Sequence, residues 1–95
     1  MPPYYSKDFL RMLRNDIPIN EVIVDLLNLE VRHDHKTLRF RCPVCYNLHT
    51  ATNLKTNLAR CFDCKKNFNP IDMVIMVGNC GFLDAVKILK NRIDQ

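Results

Sequence analysis

The sequence predicts an α+β fold, a small antiparallel β-sheet with helices packed before and after it. Three observations carry that prediction. Apolar residues recur at helical spacing in the first and last thirds of the 95-residue chain. The stretch Thr37-Leu-Arg-Phe-Arg instead alternates apolar and basic residues, as a half-buried strand does. Finally, two Cys-x-x-Cys pairs bracket a central segment with the texture of short strands and turns.

The elements follow in order. Ser6 is a helix cap, and Phe9, Leu10 and Leu13 form the apolar stripe behind it. Pro18 breaks that helix. A second one follows in which Ile19, Val22, Ile23, Leu26, Leu27 and Leu29 keep the i, i+3, i+4, i+7 rhythm, so residues 1–30 read as a helical lead-in. Val31 changes the character of the chain, and Asp34-His35-Lys36 reads as a solvated turn carrying His33 and His35 beside it. Residues 36–68 form the central ribbon, with strands expected near 48–54 and 58–60 around a turn at Lys55-Thr-Asn. Asn69-Pro70-Ile71-Asp72 starts the next helix: an N-cap asparagine, proline at the first helical position and an acid in the first turn. Ile71, Val74, Ile75 and Val77 supply its buried face, and Gly78 stops it. A last helix from about residue 83 carries Phe82, Val86, Leu89 and Ile93 on one side, so helices occupy 69–94. The whole chain, 1–95, is expected to be one domain.

Composition limits the function classes. With 47% hydrophobic and 25% charged residues the chain is globular rather than disordered. Its length excludes most enzymes, and no 18-residue apolar stretch is present to span a membrane. Met1-Pro-Pro-Tyr-Tyr-Ser-Lys-Asp has no apolar core of a secretory signal, so a cytoplasmic location is expected. The formal net charge is +4, unevenly placed. Between Arg39 and Lys66 six basic residues meet a single acid, Asp63, while the flanking segments are near balance.

The same central segment holds four of the five cysteines. Cys42-Pro-Val-Cys45 and Cys61-Phe-Asp-Cys64 are fifteen residues apart, the spacing of a tetrahedral zinc site. Two intervening residues let a tight knuckle aim both thiolates at one ion about 2.3 Å away. A fifteen-residue loop lets a hairpin return the second knuckle to the first. Four thiolates leave no open position, so the expected cofactor is one structural Zn2+. Disulfides would need an oxidising compartment, and a redox Cys-x-x-Cys would not need a second copy at hairpin distance. His49, four residues after Cys45, is the alternative ligand, and Cys80 reads as a semi-buried small hydrophobe.

Four thiolates on a dication leave two negative charges, so zinc brings the chain to about +2. Nucleic-acid binding would therefore come from a local, salt-sensitive patch. The candidates are Arg39, Arg41, Lys55, Arg60, Lys65 and Lys66, with the aromatic rings of Tyr46 and Phe62 interleaved; Phe68 reads as core. Rings that stack on bases beside cations that hold phosphates are what single-strand-binding surfaces use. The competing reading is a solvated basic face with aromatics in the core.

Over about residues 17–94 the order of elements resembles the N-terminal zinc-binding domain of bacterial DNA primases of the DnaG type. Ile19-Asn-Glu-Val-Ile is similar to that family's first helix, Cys42-Pro-Val-Cys45 to its C-P-x-H and Cys61-Phe-Asp-Cys64 to its C-F-x-C. Pro70-Ile-Asp-Met-Val-Ile-Met resembles the helix after the second knuckle, and Gly78 with Phe82-Leu-Asp-Ala-Val resembles the run that opens the last one. The chain departs from the pattern at Cys45, where the family has His, and at Lys65-Lys66-Asn67, where it tends to have glycines. The acidic polymerising module is absent between Met1 and Gln95, so the chain reads as a stand-alone relative or a fragment, with Met1 and the leading helix favouring the former.

What the resemblance implies is a non-catalytic module, not an enzyme, that binds single-stranded DNA and assists template recognition or primer initiation in replication. Its expected partners are single-stranded DNA and a primase, polymerase or helicase acting in trans, with no membrane partner. The alternative is a zinc-ribbon adaptor that presents a rigid surface to another protein. A thiol enzyme acting through Cys61 or Cys64 is the remaining rival.

Overall fold

The computed structural model describes residues 5–93. Residues 1–4 and 94–95, which the expected lead-in and last helix include, lie outside the described residues. Four helices and a five-stranded antiparallel sheet in the order β1-β2-β3-β4-β5 form the α+β fold that the sequence predicts.

The chain opens with α1 (Lys7–Asn15), whose first turn is capped by Ser6 accepting from the Phe9 N–H at 3.0 Å. After Pro18, α2 (Ile19–Glu21) continues as a π-helical turn (Val22–Leu26), where the Leu27 N–H reaches back to the Val22 carbonyl at 2.8 Å. Asn28, at φ 53°, closes it, with the Leu29 N–H on the Ile23 carbonyl.

The strands are β1 (Val31–Asp34), β2 (Thr37–Phe40), β3 (Thr50–Asn53), β4 (Leu58–Cys61) and β5 (Asn67–Phe68). β2 and β3 match the expected strands with trimmed ends, and β4 runs one residue past its expected end, to Cys61. β1 and β5 are additions: Asp34-His35-Lys36 is indeed a turn, but it is the tip of a hairpin whose first strand has a single apolar residue.

Helices cover one face of the sheet. Leu38 and Phe40 of β2, Ala59 and Cys61 of β4 and Phe68 of β5 point into a core shared with Leu13, Ile19, Ile23, Val74 and Leu89. Thr52 also points inward, and its hydroxyl accepts from the Leu38 N–H at 2.9 Å. The other face is open.

The closing helices are α3 (Pro70–Gly78) and α4 (Phe82–Ile93). Asn69 caps α3 in a full capping box with Asp72, as the Asn-Pro-Ile-Asp signature predicts. Ile71 and Val74 are buried, joined by Met73, while Ile75 and Val77 are half-buried. Gly78 is still helical, and the left-handed residue that ends α3 is Asn79 at φ 51°. On α4, Ala85, Val86 and Leu89 are buried. Phe82 and Ile93 are exposed, because they are in phase with the buried stripe but sit at helix ends that overrun the core. Arg92 ties α4 to α2 through Glu21 at 2.9 Å, with Asp25 at 3.6 Å. Among the described residues no helix is long and apolar enough to cross a membrane.

Two asparagines lock one end of the sheet to the helices. Asn57, at φ 56° in the β3–β4 turn, accepts from the Ile19 N–H at 2.8 Å. Its amide donates to the carbonyls of Arg14 at 2.6 Å and Ile17 at 2.7 Å. Asn20 donates to the Lys36 carbonyl in the β1–β2 turn at 3.3 Å.

Candidate metal centre and basic face

At the opposite end of the sheet, β2 and β4 each run into a knuckle of the same design. In the first, the Cys42 N–H donates to the Asn47 carbonyl and the Tyr46 N–H to the Cys42 carbonyl. In the second, the Cys61 N–H donates to the Lys66 carbonyl at 3.0 Å. The residue after each second cysteine turns left-handed: Tyr46 at φ 65° and Lys65 at φ 59°. At Lys65 the turn is thus made by a residue whose side chain disfavours it.

The pairs are brought face to face by β-pairing. Thr50 on β3 lies directly across from both Phe40 and Cys61, and the Phe62 N–H donates to the His49 carbonyl at 3.0 Å. As a result the Sγ atoms of Cys42, Cys45, Cys61 and Cys64 all lie within 4.8 Å of one another. Two of the separations are 3.4 Å (Cys45 to Cys61) and 3.7 Å (Cys42 to Cys64). A tetrahedron with metal–sulfur bonds of about 2.3 Å has sulfur–sulfur edges of about 3.8 Å. These are metal-site distances, far too long for disulfides.

Backbone amides point at the sulfurs. Val44 and Cys45 N–H groups face the Cys42 Sγ at 3.3 and 3.5 Å, and the Cys64 N–H faces the Cys61 Sγ at 3.4 Å. Such donors favour thiolates. Burial raises the Cys61 thiol, but the amides of Cys64 and Asp63 and the neighbouring thiols bring it down to about 6. Burial, then the Cys61 thiol, pushes Cys64 up to about 12. For Cys45 the Asn47 backbone lowers the value, yet burial and the Cys61 and Cys42 thiols leave it raised. Four close thiols thus resist ionising together without a cation among them. The cluster can hold one metal ion, and its four sulfurs would fill a tetrahedral shell.

His49 is not part of the sulfur cluster. Its Nδ1 lies 2.6 Å from the Asp63 carboxylate, linking the loop before β3 to the second knuckle. Cys80 is half-buried, with its Sγ 3.7 Å from the Val74 carbonyl.

The open face of the sheet carries a row of arginines. Strand register places Arg32 opposite Arg39, Arg39 opposite Ala51, Ala51 opposite Arg60 and Arg60 opposite Asn67, one residue from each strand. Residues directly opposite in antiparallel pairs share a face. Arg39 Nε lies 3.5 Å from the Asp34 carboxylate, and Arg60 Nη1 donates to Asn67 at 3.3 Å. Arg41 sits just past β2, its guanidinium donating to the Tyr46 carbonyl at 2.6 Å.

The remaining candidates divide by position. Tyr46 and Phe62 are 66% and 60% exposed, one on each knuckle, where aromatic rings would ordinarily be covered. Lys65 and Lys66 are exposed beside Phe62 on the second knuckle. Lys55 is exposed in the β3–β4 turn, at the far end of the sheet from the other five cations. Phe68 is core, as expected.

Arg32 is the basic residue that sequence reasoning missed. It falls in the near-neutral first third of the chain, and only the hairpin around Asp34-His35-Lys36 carries it across to Arg39. Comparison with protein-family models and with curated proteins gives no match to this chain.

Proposed function

We propose that the protein is a non-catalytic zinc-ribbon module that binds single-stranded DNA, assisting template recognition or primer initiation as the resembling primase domain does. In this reading Cys42, Cys45, Cys61 and Cys64 hold one structural Zn2+, which rigidifies the knuckles and with them the end of the sheet. The observation that carries the DNA reading is the arginine row on a helix-free face, ending at knuckles that expose Tyr46 and Phe62. Guanidinium groups one strand spacing apart (Arg32 and Arg39) and two apart (Arg39 and Arg60) can track phosphates while the exposed rings offer stacking surfaces.

Fluorescence anisotropy of the zinc-loaded protein with labelled single-stranded oligonucleotides, repeated across salt concentrations, tests it. Binding should weaken as salt rises and be lost in the Arg39→Ala/Arg41→Ala/Arg60→Ala triple variant. Parent and variant that both fail to bind at low salt would remove the DNA reading.

The second reading is an adaptor for a replication or mobile-element protein. Phe82 and Leu83 favour it: both are exposed at the start of α4, on a helix rather than on the arginine-bearing sheet face. Apolar side chains gathered on a surface are a feature of protein contacts. If no DNA binds, a Phe82→Ser variant that abolishes capture of a purified primase, polymerase or helicase would establish this reading instead.

A further inference from the structure

Where the β1–β2 hairpin meets the first knuckle there is a cleft of about 410 Å3. Its apolar lining comes from Leu29, Val31, Phe40 and Leu48, and its cationic lining from Arg32, Arg39 and Arg41. A second hollow of about 270 Å3 shares Arg32, Arg39 and Leu48 and reaches His49. We propose that this cleft seats one unstacked nucleotide of the bound strand, its base on Leu48 and its phosphate on Arg32 and Arg41. The proposal rests on the single-stranded DNA reading and gives it a location.

Four observations lead there. The volume lies at the low end of small-ligand sites, enough for one nucleotide and too little for a stacked pair. The lining combines an apolar floor with guanidinium groups, which matches a base joined to a phosphate better than it matches a bare anion or an apolar ligand. Leu48 is 55% exposed, a branched aliphatic side chain left uncovered inside a cationic cleft. Finally, one of the two arginines given to the phosphate is already positioned, Arg41 by the Tyr46 carbonyl. Guanidinium groups held in place lose less freedom on binding.

The acids in the cleft decide which arginine holds the phosphate. Asp34 engages Arg39, and Glu30 lines the opening. Arg32 makes no ion pair among the described residues, so its charge is available to a phosphate. Arg41 spends a donor on a neutral carbonyl and keeps its full charge.

Both Arg32 and Leu48 are exposed, so replacing either should leave the fold intact. Anisotropy with a labelled oligodeoxyadenylate separates their roles. Arg32→Ala should lower affinity about tenfold and reduce the log–log salt slope by about 0.7, the value of one phosphate on a single strand. Leu48→Ala should lower affinity about fivefold with the slope unchanged, because it removes only apolar contact. In parallel, NMR titration of the zinc-loaded protein with deoxyadenosine 5′-monophosphate should move the Arg32, Arg41 and Leu48 signals more than inorganic phosphate or deoxyadenosine does. Arg60→Ala, outside the cleft, should weaken the oligonucleotide and leave the mononucleotide response as it was.

If the oligonucleotide binds and only Arg60→Ala weakens it, the cleft proposal is overturned while the DNA reading stands. Equal responses to phosphate and to the mononucleotide would overturn the base seat. A parent protein that binds no oligonucleotide would overturn both readings together.

Discussion

At one end of the sheet β2 and β4 run into four thiols; at the other, the β3–β4 turn is bolted to the α1–α2 junction by the neutral amide of Asn57. Both devices join segments distant in sequence, and both sit in turns with left-handed residues. The thiol end is built of groups that repel one another once ionised, so a cation bound among them would make its order depend on metal and on pH. The Asn57 end satisfies two carbonyls and one N–H with a side chain that does not titrate, so it needs neither. The basic and aromatic candidates cluster at the thiol end, and only Lys55 stands at the other.

The most severe way to break this contrast is Cys61→Ala. Structural zinc in small peptides has an apparent binding free energy of roughly 10–16 kcal/mol, so the variant should lose stoichiometric metal and the order of both knuckles. Metal analysis with circular dichroism reads both effects. A variant that kept its metal and native stability would refute the ligand set.

Next in size is Asn57→Ala. It strips partners from the Ile19 N–H and the Arg14 and Ile17 carbonyls and puts a Cβ residue without a capping amide at φ 56°. A loss of about 3 kcal/mol is expected in denaturant titration. Zinc stoichiometry should be unaffected, because the thiols lie at the other end.

Acidity separates the ends further. In the metal-free protein Cys61 has a folded value of about 6 against an ordinary 9.0, so its contribution is present above 9 and is lost as pH falls through 6. Cys64, raised to about 12, acts with the opposite sign: its contribution is present below 9.0 and lost as pH rises towards 12. Metal-free stability should therefore peak near pH 9, with thermal melts across pH as the check. Asn57 adds no slope to that curve.

The smallest expected effect is Lys65→Gly. Relief of a left-handed non-glycine residue should outweigh the added freedom of the unfolded chain, for a gain of about 0.5–1 kcal/mol in the zinc-loaded protein. Should the gain come with weaker DNA binding, Lys65 would be held at this strained position for its charge.

Features written in short range were legible in the sequence. The Asn69 capping box, the Cys-x-x-Cys knuckles and the alternation in β2 each involve neighbours a few residues apart. β1 was not, because Val31-Arg-His-Asp has one apolar residue and its inward-facing His33 lies beyond the reach of the helices. The overrun at Phe82 and Ile93 also escaped, since periodicity fixes the phase of a stripe and not how far the core extends beneath it. The π-helical turn has no apolar rhythm of its own, and Asn57 looks like any turn asparagine until its partners are known. Arg32 was hidden for a similar reason: its significance lies in register with Arg39, which no local pattern encodes.

The Asn57 bolt also sets an order of events in folding. Its partners are separated from it by 38 to 43 residues, so α1 and α2 can form as helices but cannot settle against the sheet until the β3–β4 turn has been synthesised and has closed. Contacts of that span close slowly and tend to fall late. During synthesis the apolar stripes of the first third would therefore stay uncovered beyond that amide, until α3 and α4, against which they pack, have also been made.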